Sequence, residues 1–434
     1  MNMTKTMLAL IGAALMTAGA FADEPTITLT RFQQRYPWNG LVDIDYTVAN
    51  VANPDDYYVK FTVTTNGAAT GILARSFLND ATLAMASNGL FRVTWDTKAD
   101  LAILFSKDVS VRADLVFDPG CKGDRSPYAA EFVIIDLTEG ASATSYPVAY
   151  EGIYDKEVAK TNYNTDVYKT DKLVLRKIWK GQFTMGSPTT ETGRQSQTWM
   201  NKETQHEVTL TKDYYIGVFP VTQTQWLKVM GGTNPSSFKN NTDATTCPVE
   251  MVSYQMIRGA TKGIAVPITG EVDAGSFLAL LRDKTNLTDL DLPTEAQWEY
   301  ATRAGTTDST YFGNNVTGDA TLLAAHIWYN GNSQSKTHGV GQKPSNPWGL
   351  YDTLGNVWEW CRDRVTAASA TTKDDLGSDA VTDPIRQVAN GNVTLRGGSW
   401  ISDATNSRSA CRTGDCAVSR TLSYLGFRLS RTLP

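Results

Sequence analysis

Between residues 23 and 152 apolar and polar positions alternate with a period of two. Leu41-Val42-Asp43-Ile44-Asp45-Tyr46-Thr47-Val48 is the clearest run. Tyr57 to Val63, Phe91 to Trp95, Val109 to Phe117, Glu131 to Leu137 and Ser145 to Tyr150 follow it, each reading as a half-buried strand. Asn53-Pro54, Asn66-Gly67 and Pro119-Gly120 separate them as turns. About seven short strands between polar turns predict a β-sandwich of immunoglobulin or fibronectin type. No cluster of acids, bases or nucleophiles accompanies these strands, which points to a spacer or display module.

Residues 153–170 are polar and rich in Tyr, Asn and Lys, and read as a linker. Over residues 171–434 the pattern changes to short strands such as Glu207 to Leu210, helical stretches, and long loops rich in Gly, Asn and Ser. Thr222 is placed to cap a helix through Trp226. Thr294 caps a second one, with Gln297 at the third helical position of a capping box. Trp298, Ala301 and Thr302 then share one helix face. Frequent tryptophans (Trp348, Trp358, Trp360) suit a domain whose large rings fill an irregular core.

Ahead of both regions, Lys5, the apolar run Met7 to Ala18 and Ala20-Phe21-Ala22 fit a cleaved export signal over 1–22, with a mature start at Asp23. The apolar run is too short to span a bilayer, and no later stretch is long enough. The expected location is therefore periplasmic, cell-surface or secreted. The 434 residues carry 40 Lys and Arg against 45 Asp and Glu, with no basic run, which argues against nucleic acid as a partner. Export places Cys121, Cys247, Cys361, Cys411 and Cys416 where disulfides can persist. No C-x-x-C pair occurs, and His206, His326 and His338 lack the spacing of a zinc helix.

The second region carries an ordered set of motifs. Phe183-Thr184-Met185-Gly186-Ser187 precedes Leu292-Pro293-Thr294-Glu295-Ala296-Gln297-Trp298-Glu299-Tyr300-Ala301. Then follow Gly349-Leu350-Tyr351-Asp352, Gly355-Asn356-Val357-Trp358-Glu359-Trp360, Arg396-Gly397-Gly398-Ser399-Trp400 and Gly426-Phe427-Arg428-Leu429. This resembles the formylglycine-generating-enzyme (sulfatase-modifying factor) family. The resemblance implies a C-type-lectin-like fold with little regular secondary structure for residues 171–434, so the whole chain is expected to be α+β, with the N-terminal β-sandwich preceding that domain.

Two family features follow by position. The resemblance implies a structural Ca²⁺ held by the side chains of Asp352 and Glu359 and the carbonyls of Gly355 and Val357, an oxygen set that suits a hard cation. The family's copper-binding catalytic cysteines correspond to Ser402 and Ser407, whose hydroxyls cannot supply the soft thiolate that Cu(I) prefers. Cys411 and Cys416 keep the same separation nine residues further on. They define the alternative reading, a divergent copper oxidase acting on cysteine in a target protein.

The variable proteins of diversity-generating retroelements resemble the same family. They carry diversified residues in the last segment, mutated at adenines of Asn-type codons that never yield Lys, Glu, Gln, Met or Trp. Here Trp400, Ala404, Arg408, Ser409, Ala410, Arg412, Arg420 and Gly426 suit an invariant frame, and none of the nineteen positions between them over 401–425 carries a forbidden residue. This predicts a binding face for a protein or glycan on another surface. Its candidate residues are Ile401, Ser402, Asp403, Thr405, Asn406, Ser407, Cys411, Thr413, Asp415, Leu422 and Tyr424, with Leu422 and Tyr424 as anchors.

Overall fold

The computed structural model describes residues 25–34, 41–51, 57–65, 72–73, 88–96, 109–117, 131–151, 163–194, 203–313, 319–365 and 377–433. The export signal, Cys121, the three turn dipeptides and most of the linker lie outside these residues. The chain divides into two compact units, 1–131 with 150–161 and 132–149 with 162–434.

In the first unit, β1 (Thr26–Gln34), β2 (Leu41–Ala49) and β5 (Gly89–Asp96) form one antiparallel sheet, in the order β1-β2-β5. β3 (Tyr57–Thr65), β4 (Ile72–Leu73) and β6 (Val109–Phe117) form a second, ordered β4-β3-β6. The period-two pattern decides which side chains turn inward. Val42, Ile44, Tyr46 and Val48 of β2 are buried together with Val59 and Phe61 of β3 and Val111 of β6 in one apolar core. Tyr46 meets Phe61 edge-on at 5.2 Å. The alternate positions face outward, and Asp45 there pairs with the exposed Arg92.

The second unit is mixed α+β. Its largest sheet contains β7 (Phe132–Asp136), β8 (Val148–Glu151), β9 (Lys172–Ile178), β12 (Tyr214–Gly217), β13 (Leu290–Asp291) and β19 (Ser430–Thr432), in the order β13-β19-β12-β9-β7-β8. The Glu131–Leu137 stretch, read above as a sandwich strand, therefore belongs here, paired antiparallel with β9. The reason is visible in its burial: Val133, Ile134 and Ile135 are all buried in succession, as a strand covered on both faces requires. In the segment read as a linker, Val167–Thr170 is one helical turn, α1.

A second sheet joins β14 (Trp358–Val365), β16 (Asn392–Arg396), β17 (Arg412–Cys416) and β18 (Leu425–Gly426), and a third joins β10 (Gly181–Met185), β11 (His206–Leu210) and β15 (Val381–Thr382). Helices α2 (Gln223–Met230) and α5 (Glu295–Arg303) start where the sequence places them. Thr222 and Thr294 accept from the N–H of Gln225 and Gln297, and both glutamines close capping boxes. Between them lie α3 (Tyr254–Arg258) and α4 (Phe277–Thr285), and α6 (Ala320–His326) follows α5. Trp298, Ala301 and Thr302 of α5 are buried as expected. Among the described residues, no helix is long and apolar enough to cross a membrane.

A candidate binding face over a buried ion-pair frame

The last segment of the chain lies on arginines that are themselves buried. Arg408 forks onto Glu203 at 2.7 and 2.8 Å and reaches Glu191 at 2.6 Å. Arg412 is held by Glu295, Arg396 by Glu299, and Arg428 by both oxygens of Glu359 at 2.6 and 2.7 Å. Arg396, Arg408 and Arg428 are fully buried. Burial by itself would depress the Arg408 pKa, but the Glu203 hydrogen bond and nearby negative charge raise it overall. For Glu203 burial works upward, and the Arg408 contacts overcome it and hold the carboxyl below its usual range. Such pairs fix a geometry more than they add stability, because desolvation offsets much of the attraction.

Above this frame, the scaffold grips the segment by its main chain. The Trp400 indole N–H donates to the Ser423 carbonyl at 2.9 Å, and its ring meets Phe238 edge-on. The backbone N–H groups of Gln255, Met251 and Trp358 donate to the carbonyls of Val418, Leu422 and Tyr424. On the other side, Ser333 Oγ donates to the Trp400 carbonyl and the Asn330 N–H to the Ser402 carbonyl. Beneath the turn that launches the segment, Gly398 has φ +76°, and a Cβ there would lie 2.5 Å from Ser407 Oγ. Only glycine fits.

The candidate residues separate into two groups. Ile401 is half exposed and Asp403 is exposed, while Thr405, Asn406, Thr413, Leu422 and Tyr424 are partly exposed. Asp403 accepts from Asn330 Nδ2 at 2.5 Å. Ser402, Ser407 and Cys411 are buried, which corrects their place on a contact surface. Ser402 Oγ accepts from the Trp358 indole N–H and the Ser399 N–H, so its side chain works as an internal brace. The Asp415 side chain lies outside the described residues. Of the expected frame, Trp400, Arg408, Ser409, Ala410, Arg412 and Gly426 are buried and Ala404 is partly buried, whereas Arg420 is exposed. Sequence reasoning missed Glu191, Glu203 and Asn330, whose partners lie 73 to 217 residues away along the chain.

The copper alternative loses its geometry. Cys411 and Cys416 stand at opposite ends of an extended stretch, with Arg412 opposite Arg396 and Cys416 opposite Val393. Five extended residues span roughly 16 Å, beyond the reach of one ion. Burial also pushes the Cys411 thiol up to about 12, away from a thiolate. Nor does the calcium set suit its ion. Glu359 is neutralised by Arg428 and also accepts from the Trp298 indole N–H. Asp352 accepts from the Gly341 N–H, and burial raises its carboxyl to about 6. A Ca²⁺ here would compete with the buried Arg428 guanidinium for Glu359 and with the Gly341 N–H and the Asn356 amide for Asp352, so the ligand set fits poorly. Among the described residues, no group of three or more His, Cys, Asp or Glu is placed to hold a metal ion.

Fold and site together define an α+β domain that carries a backbone-clamped surface segment on an ion-pair frame. The family model for the sulfatase-modifying factor enzyme 1-like domain matches residues 159–433, and the chain belongs to that family. It is 32% identical to the chaperone protein LppX of Paenibacillus barcinonensis, over 36% of this chain and 63% of that one. It is 42% identical to the formylglycine-generating enzyme of Mycobacterium tuberculosis, over 16% of this chain and 25% of that one. The chain thus spans less than two thirds of the length of either relative. Among solved structures, Treponema denticola variable protein 1 is similar at 28% identity and a TM-score of 0.45, over 60% of this chain and 96% of that one. PvdO from Pseudomonas aeruginosa gives 26% and 0.44, over 60% and 94%.

Proposed function

We propose that the chain is an exported binding protein, in which a C-type-lectin-like domain presents residues 401–425 to a ligand on another surface. The observation that carries this reading is the grip on main-chain carbonyls at 418, 422, 423 and 424. It fixes the path of the segment through its backbone, so that the exposed or partly exposed side chains of Ile401, Asp403, Thr405, Asn406, Thr413, Leu422 and Tyr424 can vary in what they present to a partner without moving it. The identity to LppX, named a chaperone, favours a protein ligand over a glycan. The N-terminal unit then acts as a sandwich-type display module.

We infer further that the exposed part of this segment is diversified, as the absence of Lys, Glu, Gln, Met and Trp at the interleaved positions suggests. Deep sequencing of codons 380–434 across many cells of the source population tests it. Substitutions are expected at exposed positions and absent at Ser407, Cys411, Arg408 and Arg412, whose burial forbids arbitrary residues. An invariant segment sinks the diversification and leaves a fixed binding face. That face is tested separately by binding of the purified chain to target cells, with Tyr424→Asp and Leu422→Asp expected to abolish it. Retained binding in both variants would move the contact elsewhere.

A further inference from the structure

Away from the face, a pocket of about 270 Å³ opens beside the edge strand β13, lined among others by Arg282, Arg362, Asp289, Asp291, Ser430 and Thr432. That volume exceeds the share of a single water several-fold and approaches the lower end of small-ligand sites.

Its charge is unbalanced. Asp291 gives its bidentate contact to the buried Arg258, at 2.8 and 3.0 Å, and meets Arg282 and Arg362 only at 3.5 and 3.4 Å. Asp289 is taken by Arg431 at 2.7 Å. Four guanidiniums thus share two carboxylates, an excess of two positive charges in the cluster, and Arg282, whose Nε and Nη1 donate to the carbonyls of Leu290 and Gly270, has only a long contact to Asp291 for its charge. Burial lowers the Arg282 pKa, and the neighbouring Arg258 and Arg362 charges add to the fall.

Two donors at the pocket lack acceptors. The Ser430 hydroxyl is buried, on a residue only 2% exposed, and makes no hydrogen bond. Nor does the Nε of Arg362, which has only the long ion-pair contact. Thr432, by contrast, is already bonded to Gln297. Buried donors without acceptors are costly, and guanidinium forks suit planar oxyanions.

We propose that this pocket binds a small, doubly charged oxyanion, of phosphate or dicarboxylate chemistry, through Arg282, Arg362 and the Ser430 hydroxyl. Such an ion supplies the missing charge and the missing acceptors together, and the site is independent of the binding face.

Calorimetric titration of the full chain with inorganic phosphate and with malonate, in low-salt buffer, tests the assignment. One ion per chain is expected, and the tighter of the two identifies the chemistry. Arg362→Gln is expected to weaken binding at least about tenfold, the effect of losing a charge-assisted hydrogen bond. Ser430→Ala should weaken it less, and Arg112→Gln on the exposed surface of the first unit should leave it unchanged. Thermal melts establish that each variant is folded, and the serine variant keeps the test open if the arginine variant is not. Absence of binding by either anion would overturn the proposal, as would folded variants at Arg362 and Ser430 that bind like the parent.

Discussion

The two units solve the problem of a stable interior in different ways. In the first, β2 sends Val42, Ile44, Tyr46 and Val48 inward and leaves its charges outside, where Asp45 meets an Arg92 whose side chain is 51% exposed. In the second, the charges go inside: Arg396, Arg408 and Arg428 are fully buried against glutamates. An apolar core tolerates approximate partners, whereas a buried ion pair tolerates only its own. The contrast teaches that the second unit spends its polar residues on fixing one conformation beneath the face.

The largest effect that could break this comparison is loss of one ion-pair partner. Arg408→Met leaves Glu203 and Glu191 buried without a cation and is expected to cost roughly 3–5 kcal/mol in urea unfolding. Adding Glu203→Leu should recover part of that loss, and no recovery would count against a paired frame. In the first unit Phe61→Ala is expected to cost about 3–5 kcal/mol through the cavity it leaves. Arg92→Ala there should leave the urea midpoint within error, because that pair faces solvent.

The pH response sharpens the picture at a smaller scale. Burial raises Glu250 to about 7, outweighing the backbone N–H groups of Phe238 and Ser237, and its Oε2 has no partner. A carboxyl raised on folding favours the native state at low pH, and that contribution fades as pH climbs from its ordinary value of 4.5 toward 7. Melting of the parent should therefore fall between pH 5 and pH 8, and Glu250→Gln should flatten part of the fall. An unchanged slope in the variant would place the titration elsewhere. The smallest effect expected is that of EDTA. With Glu359 committed to Arg428, chelation should leave the melting temperature unchanged, and a drop of several degrees would restore calcium to the Asp352–Glu359 loop.

Much of this was legible in the sequence, for reasons that differ by region. The Leu41–Ala49 strand announces itself because Val42, Ile44, Tyr46 and Val48 are buried on one face, which writes period two into the chain. Val133-Ile134-Ile135 misleads because a strand covered on both faces loses that alternation. The caps at Thr222 and Thr294 were readable because capping is local. The buried state of Ser402, Ser407 and Cys411 was not, since it depends on Trp358, Gly398 and Arg408 folding around them. Composition gave the polar character of 401–425 but could not tell an outward serine from a brace.

The clamp on residues 418–424 has one more consequence, and it concerns inheritance. Every residue type, proline included, offers a main-chain carbonyl, so rewriting the codons for Leu422, Ser423 or Tyr424 removes none of the four anchoring bonds. Two descendants could differ at each of these positions and still hold their faces on the same rails. In the proposed binding protein, selection for what is bound and selection for staying folded act on different atoms at these positions.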